Sequence, residues 1–123
     1  MIKTINHMQI TVPISEERSA KVFYCDLLGL NEIEKPVTLK GNGGFWLALN
    51  EESSIQLHIG LEEGIDRLKT KAHVAFEVSD IEFWRNKFSN AGIEVLQSKP
   101  IPGFERFDIR DPFGNRLEFM VRL

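Results

Sequence analysis

The sequence predicts an α+β fold made of two βαβββ modules in one chain. Three observations carry this. First, HMQITV (His7 to Val12) and HVAFEV (His73 to Val78) match: each opens on histidine and alternates towards valine. Second, each is followed by a turn and a stretch with helical periodicity. Third, FWLALNEESSIQLHI (Phe45 to Ile59) aligns without a gap on FDIRDPFGNRLEFMV (Phe107 to Val121). Module one is expected over about 1–60, a charged connector over 61–71 and module two over 72–123.

In the first helical stretch, Ala20, Phe23, Tyr24, Leu27 and Leu28 share a face; in the second, Ile81, Trp84, Phe88 and Ala91 do. Those i, i+3, i+4, i+7 spacings make each helix amphipathic. Ser15 is the expected N-cap of the first helix. Ser79 with Glu82 three residues later reads as a capping box for the second. Gly29 and Gly92 stand where a left-handed residue ends a helix. A short strand ending in Lys-Pro follows each glycine, at 29–36 and 92–100. Each closing hairpin reads as strand, five-residue turn, strand. Asp111, Pro112, Gly114 and Asn115 mark the second turn, and Asn50, Ser53 and Ser54 the first. The connector has room for a short helical turn.

At 42% hydrophobic and 27% charged residues, the 123-residue chain has enough apolar surface for one domain's core. Disorder, collagen and coiled coil are excluded. The net charge of 15 − 18 = −3 makes nucleic acid and anionic membrane poor partners. No apolar run approaches the ~18 residues of a membrane span. The first residues, MIKTINHMQI, lack the apolar core of a signal peptide. The single cysteine, Cys25, excludes an internal disulfide and fits a reducing, cytoplasmic setting. Its helical position puts it near the buried stripe.

Alternate strand residues face opposite sides. One side is almost wholly apolar and is expected against the helices. The other carries His7, Gln9, Trp46, Gln56, His58, His73, Glu77, Arg106, Asp108, Arg110, Glu118 and Met120, which include all three histidines. A merely solvated face favours Lys, Thr and Glu, and this one has no Lys. It reads as the lining of a cleft. Under the repeat His7 matches His73, and Gln56 matches Glu118. If a pseudo-twofold relates the modules, these four converge, and two imidazoles with a carboxylate suit a divalent first-row metal. Gln56 or His58 would be a fourth ligand. The plainer readings are a surface histidine at a strand start and a Glu118 paired with Arg106 or Arg110.

The paired modules resemble the vicinal oxygen chelate superfamily, which includes glyoxalase I, fosfomycin- and bleomycin-resistance proteins and extradiol dioxygenases. The resemblance covers essentially the whole chain. INHMQITVP, FYCDLLGL, AHVAFEVSDIE and DPFGNRLEF carry it. It implies curled mixed sheets around an open cleft, with the helices on the outer face. It also implies metal ligands from the first and last strand of each module, which here puts His7, His73 and Glu118 on a divalent ion (Mn, Fe, Ni or Zn). The chain lacks the insertions of typical glyoxalase I enzymes and the clustered basic, serine and tyrosine residues of fosfomycin transferases. It is too short for a two-domain extradiol dioxygenase.

The expected function is therefore metal-dependent chemistry on a small oxygenated substrate: isomerase, lyase or transferase chemistry through a chelated enolate or alkoxide. His58 is the expected base, with Glu77 behind it. Trp46, Gln56, Phe104, Arg106, Arg110 and Met120 are expected to bind substrate. The alternatives are a metal-free sequestration protein of the bleomycin-resistance type, whose ligand would meet Trp46, Phe104 and Met120, and an Fe(II) dioxygenase. A homodimer is expected, because such sheets are open-edged.

Overall fold

Each copy of the repeat folds into a four-stranded mixed sheet, because its strands bury alternate residues on one side. The computed structural model describes residues 1–123, which form two units, Met1–Ile65 and Asp66–Leu123. In the first, β1 (His7–Val12) is followed by a 3₁₀ turn (Ile14–Glu16), α1 (Glu17–Lys21) and a π-helical turn (Val22–Leu27). Then come β2 (Asn31–Ile33), a 3₁₀ segment (Val37–Asn42), β3 (Phe45–Ala48) and β4 (Gln56–Leu61). The sheet order is β1-β4-β3-β2, with β1 and β4 parallel and the other pairs antiparallel.

The second unit repeats this with β5 (His73–Glu77), α2 (Ile81–Asn90), β6 (Leu96–Gln97), β7 (Phe104–Arg110) and β8 (Arg116–Arg122), in the order β5-β8-β7-β6. β5 and β8 are parallel. The last strand of each unit thus lies inside its sheet, between the first strand and the third.

The cores follow the predicted apolar sides. Ala20, Phe23, Tyr24 and Leu28 are buried, as are Phe45, Leu47, Leu57 and Ile59. In the second unit, α2 sets Trp84 and Phe88 against the sheet. The Phe88 ring meets Phe119 edge-on at 5.0 Å, and Phe107 stacks on Phe119 at 5.6 Å. Full burial of each such ring contributes about 2–3 kcal/mol.

Several expectations need correction. Ser15 lies within the 3₁₀ turn and caps nothing, and α1 has no side-chain cap. The cap of α2 is Asp80, not Ser79: its carboxylate accepts the Phe83 N–H at 3.0 Å. The Asp80 carboxylate, one residue later, reaches that amide directly. Gly29 and Gly92 have positive φ as expected. The first helix widens before Gly29, where the Leu28 N–H reaches back five residues to the Phe23 carbonyl at 3.0 Å. That wide turn leaves Cys25 half-exposed rather than in the core, and Ala91 at the end of α2 is exposed. Residues 111–115 form the predicted five-residue turn, with the Asp111 carboxylate accepting from the Phe113 and Asn115 amides. The first hairpin opens wider, over 49–55, because Asn50 Oδ1 folds back to accept from the Glu52 and Ser53 amides. The connector forms only a turn, closed by Lys69 N–H to Asp66 O at 3.2 Å.

Candidate functional site

In the first unit the polar side of the sheet carries a column of three rings. β4 lies between β1 and β3, so His58 has a neighbour on each side. Trp46 is its direct cross-strand partner, and their rings are 4.0 Å apart and 3° from parallel. On its other face His7 stacks at 4.1 Å and 13°. His58 is only 4% exposed. Its Nε2–H donates to Gln56 Oε1 at 2.9 Å, which leaves the lone pair on Nδ1. Burial first, then the neighbouring His7 and Lys35, push the His58 imidazole below its ordinary pKa, so it is neutral at pH 7. The His7 Nδ1–H donates to Asn6 Oδ1 at 2.8 Å, and its Nε2 carries a free lone pair.

A cavity of about 500 Å³ opens beside this column. Besides the rings it is lined by Asn6, Lys35, Leu39, Asn42 and the β4 backbone at Ile59–Leu61. Lys35 is half-buried and donates to the Gly43 carbonyl at 2.7 Å.

In the second unit His73 and Glu118 meet, with Nε2 and Oε1 3.0 Å apart. The His73 Nδ1 lies 2.8 Å from the Lys71 carbonyl. A carbonyl only accepts, so Nδ1 carries a proton and Nε2 is the nitrogen turned to the carboxylate. At that distance either a proton or a metal ion must lie between Nε2 and the oxygen. The other carboxylate oxygen accepts from Arg106 Nη1 at 3.2 Å, and Arg106 also donates to the Lys99 carbonyl through Nε and Nη2 at 2.9 and 2.6 Å. Glu118 is 4% exposed, so this arginine neutralises and orients a buried charge.

The remaining predicted residues are spoken for locally. Arg110 donates to the Gly114 carbonyl at 3.0 Å and the Arg67 carbonyl at 3.3 Å, clamping the turn. Glu77 is exposed and accepts from Arg122 at 3.0 Å. The Arg122 guanidinium lies 4.7 Å over the Phe104 ring. Met120 is opposite Arg106 across β7–β8 and beside Glu77 on β5. Thus His7, Trp46, Gln56 and His58 come together in one unit, and His73, Glu118 and Arg106 in the other. Nowhere in the structure do three His, Cys, Asp or Glu side chains gather in a group able to hold a metal ion.

One residue escaped the sequence reading of the site, and another was read on the sheet's polar side but given no role. Lys35 looked like part of a strand-ending Lys-Pro, yet it is the one Lys or Arg side chain lining the cavity. Asp108 is the direct cross-strand partner of Glu118 and is 8% exposed; Arg116 grips its Oδ2 at 2.9 Å, and its buried Oδ1 has no partner. Its alternation with Arg106 and Arg110 on one side of β7 was the available signal.

Residues 4–119 match the family model described as the Glyoxalase/Bleomycin resistance protein/Dioxygenase superfamily. The chain belongs to that superfamily. Within it, the chain is 36% identical over 118 residues to the metallothiol transferase FosB of Staphylococcus haemolyticus, covering 90% of this chain and 72% of FosB. The crystal structure of a glyoxalase family protein from Bacillus anthracis superposes with a TM-score of 0.89 at 37% identity, covering 100% of this chain and 98% of that one. The fosfomycin resistance protein FosX of Listeria monocytogenes shares the fold, with a TM-score of 0.75 at 14% identity over 100% of this chain and 96% of its own. This is the fold class read from the repeat. No helix is long and apolar enough to cross a membrane.

Proposed function

We propose that this superfamily member is a metal-dependent transferase that joins a thiol to a small oxygenated substrate. The observation that carries the reading is the His73–Glu118 contact, in which Nδ1–H is pinned to a backbone carbonyl and Nε2 is turned onto a buried carboxylate. The proposed metal-ligating residues are His7, His73 and Glu118. This donor set suits Mn, Fe, Ni or Zn. A bound divalent ion would supply Lewis acidity to a substrate oxygen.

The chain's own residues would do the rest. Arg106 positions Glu118. His58, neutral with its lone pair on Nδ1, would accept the proton that a thiol loses as its sulfur bonds to a substrate carbon; the carbon–oxygen bond there breaks, and the freed oxygen takes up a proton in turn. Glu77 is engaged with Arg122, which leaves the base role to His58. Transferase chemistry is favoured over isomerase or lyase chemistry by the 36% identity to a metallothiol transferase. The unit-one cavity favours, as a second reading, metal-free ligand sequestration. A homodimer in the cytoplasm is proposed on the open-edged sheets and the lone thiol.

The test is elemental analysis of untagged protein, with His7→Ala and Glu118→Gln in parallel. One transition metal per chain, lost in both variants, is expected. Metal-loaded protein should then consume a small thiol when fosfomycin is offered as the electrophile probe. No metal after reloading with Mn, Fe, Ni and Zn would overturn the proposal and favour sequestration.

A further inference from the structure

The cavity of the first unit has a chemistry of its own. Its volume, about 500 Å³, is that of a small-molecule site. One wall is the edge of the Trp46–His58–His7 column, whose rings are held parallel by strand register rather than by loops. Opposite kinds of group meet there: flat aromatic rings on one side, and the Lys35 ammonium with the amides of Asn6 and Asn42 on another. Lys35 uses one of its three hydrogens on the Gly43 carbonyl, which fixes the side chain and leaves two to donate. No carboxylate lines the cavity, and Lys35 is the one Lys or Arg side chain that does.

A fixed, half-buried ammonium without a counter-charge selects an anion, and the ring wall selects a flat or apolar body. We infer that this cavity binds a small carboxylate-bearing molecule, its anionic end on Lys35 and its flat body along the Trp46 column. The cavity shares His7 with the proposed metal set, so the inference deepens that reading by naming the class of its second substrate, and rests on it for the reaction. Binding of the carboxylate itself needs only the first unit.

The experiment uses full-length protein carrying Trp84→Phe, so that Trp46 is the only tryptophan. It is titrated with benzoate in excess EDTA while Trp46 emission is followed. Saturable change with benzoate is expected, with affinity for the neutral isostere benzamide at least about tenfold weaker. Lys35→Met should weaken benzoate by a similar factor, and Lys35→Arg should restore most of it. Glu105→Gln, on the surface of the other unit, should leave it unchanged. A flat response to benzoate, equal response to benzamide, or full affinity in Lys35→Met would each overturn the inference. Because chelator is present throughout, loss of the metal proposal would not alter these outcomes.

Discussion

Gly44→Ala is the substitution whose cost the structure specifies most closely. Gly44 joins the Val37–Asn42 segment to β3, with φ at +78°. A methyl added there would lie 2.2 Å from the Ile59 carbonyl oxygen and 3.2 Å from its carbon. Both atoms are β4 backbone and cannot rotate away. Phe45 and Ile59 are cross-strand partners, so the overlap must open the end of the β3–β4 ladder by about 1 Å. A left-handed alanine costs about 1–2 kcal/mol, and forced overlap in a packed region adds about 1–3 kcal/mol. Gly29→Ala is the control: φ is +76°, but no atom lies within 4 Å of the added methyl, so only the conformational term applies. The two variants should therefore differ by about 1–3 kcal/mol, or on the order of 1 M in urea midpoint. Far-UV circular dichroism across a urea series measures this. Equal midpoint shifts would refute the reasoning, because they would mean that the β4 backbone yields freely.

Two further outcomes follow from local contacts. Asp80→Ala should cost α2 about 1 kcal/mol through its lost cap, while Ser79→Ala should cost a few tenths; thermal unfolding of the pair separates them. Because the folded chain holds His58 below its ordinary pKa, the unfolded chain takes up that proton first as pH falls below about 6.5. The contribution is complete above that value and is lost as pH drops towards the depressed one. Urea midpoints should therefore fall from pH 7.5 to 5.5, and fall less in His58→Phe, which keeps a flat ring between His7 and Trp46; an unchanged slope would count against the assignment.

The fold was legible because it is written twice. His7 over His73 and Phe45 over Phe107 fix strand order and inward-facing residues without any tertiary knowledge, and period-two alternation then separates core from polar side. What stayed hidden depends on atoms that meet only after folding. The ring column needs β4 between two neighbours, so no spacing in the sequence brings His7, His58 and Trp46 together. The pairing of His73 with Lys71 looks like a trivial i, i−2 contact, yet it decides which nitrogen faces Glu118. Caps were missed by one residue at Ser79, where two adjacent oxygens compete for the same amides. The width of the first hairpin turned on one Asn50 side chain folding back on its own loop. Lys35 and Asp108 were visible as charges, but their isolation from counter-charge or hydrogen-bond partner exists only in three dimensions.

The inside position of β8 has a consequence for how the protein comes into being. Of the second unit's four strands it is the last to leave the ribosome, yet β5 and β7 pair with it and not with each other. Until residues 116–122 emerge, that half of the chain holds two unjoined edges and a buried-to-be phenylalanine cluster in the open. The first unit waits in the same way for β4, but that strand emerges first and completes its sheet earlier. Order of synthesis thus hands the nascent chain a finished half and an unfinished one, and the strand that completes the second also delivers Glu118.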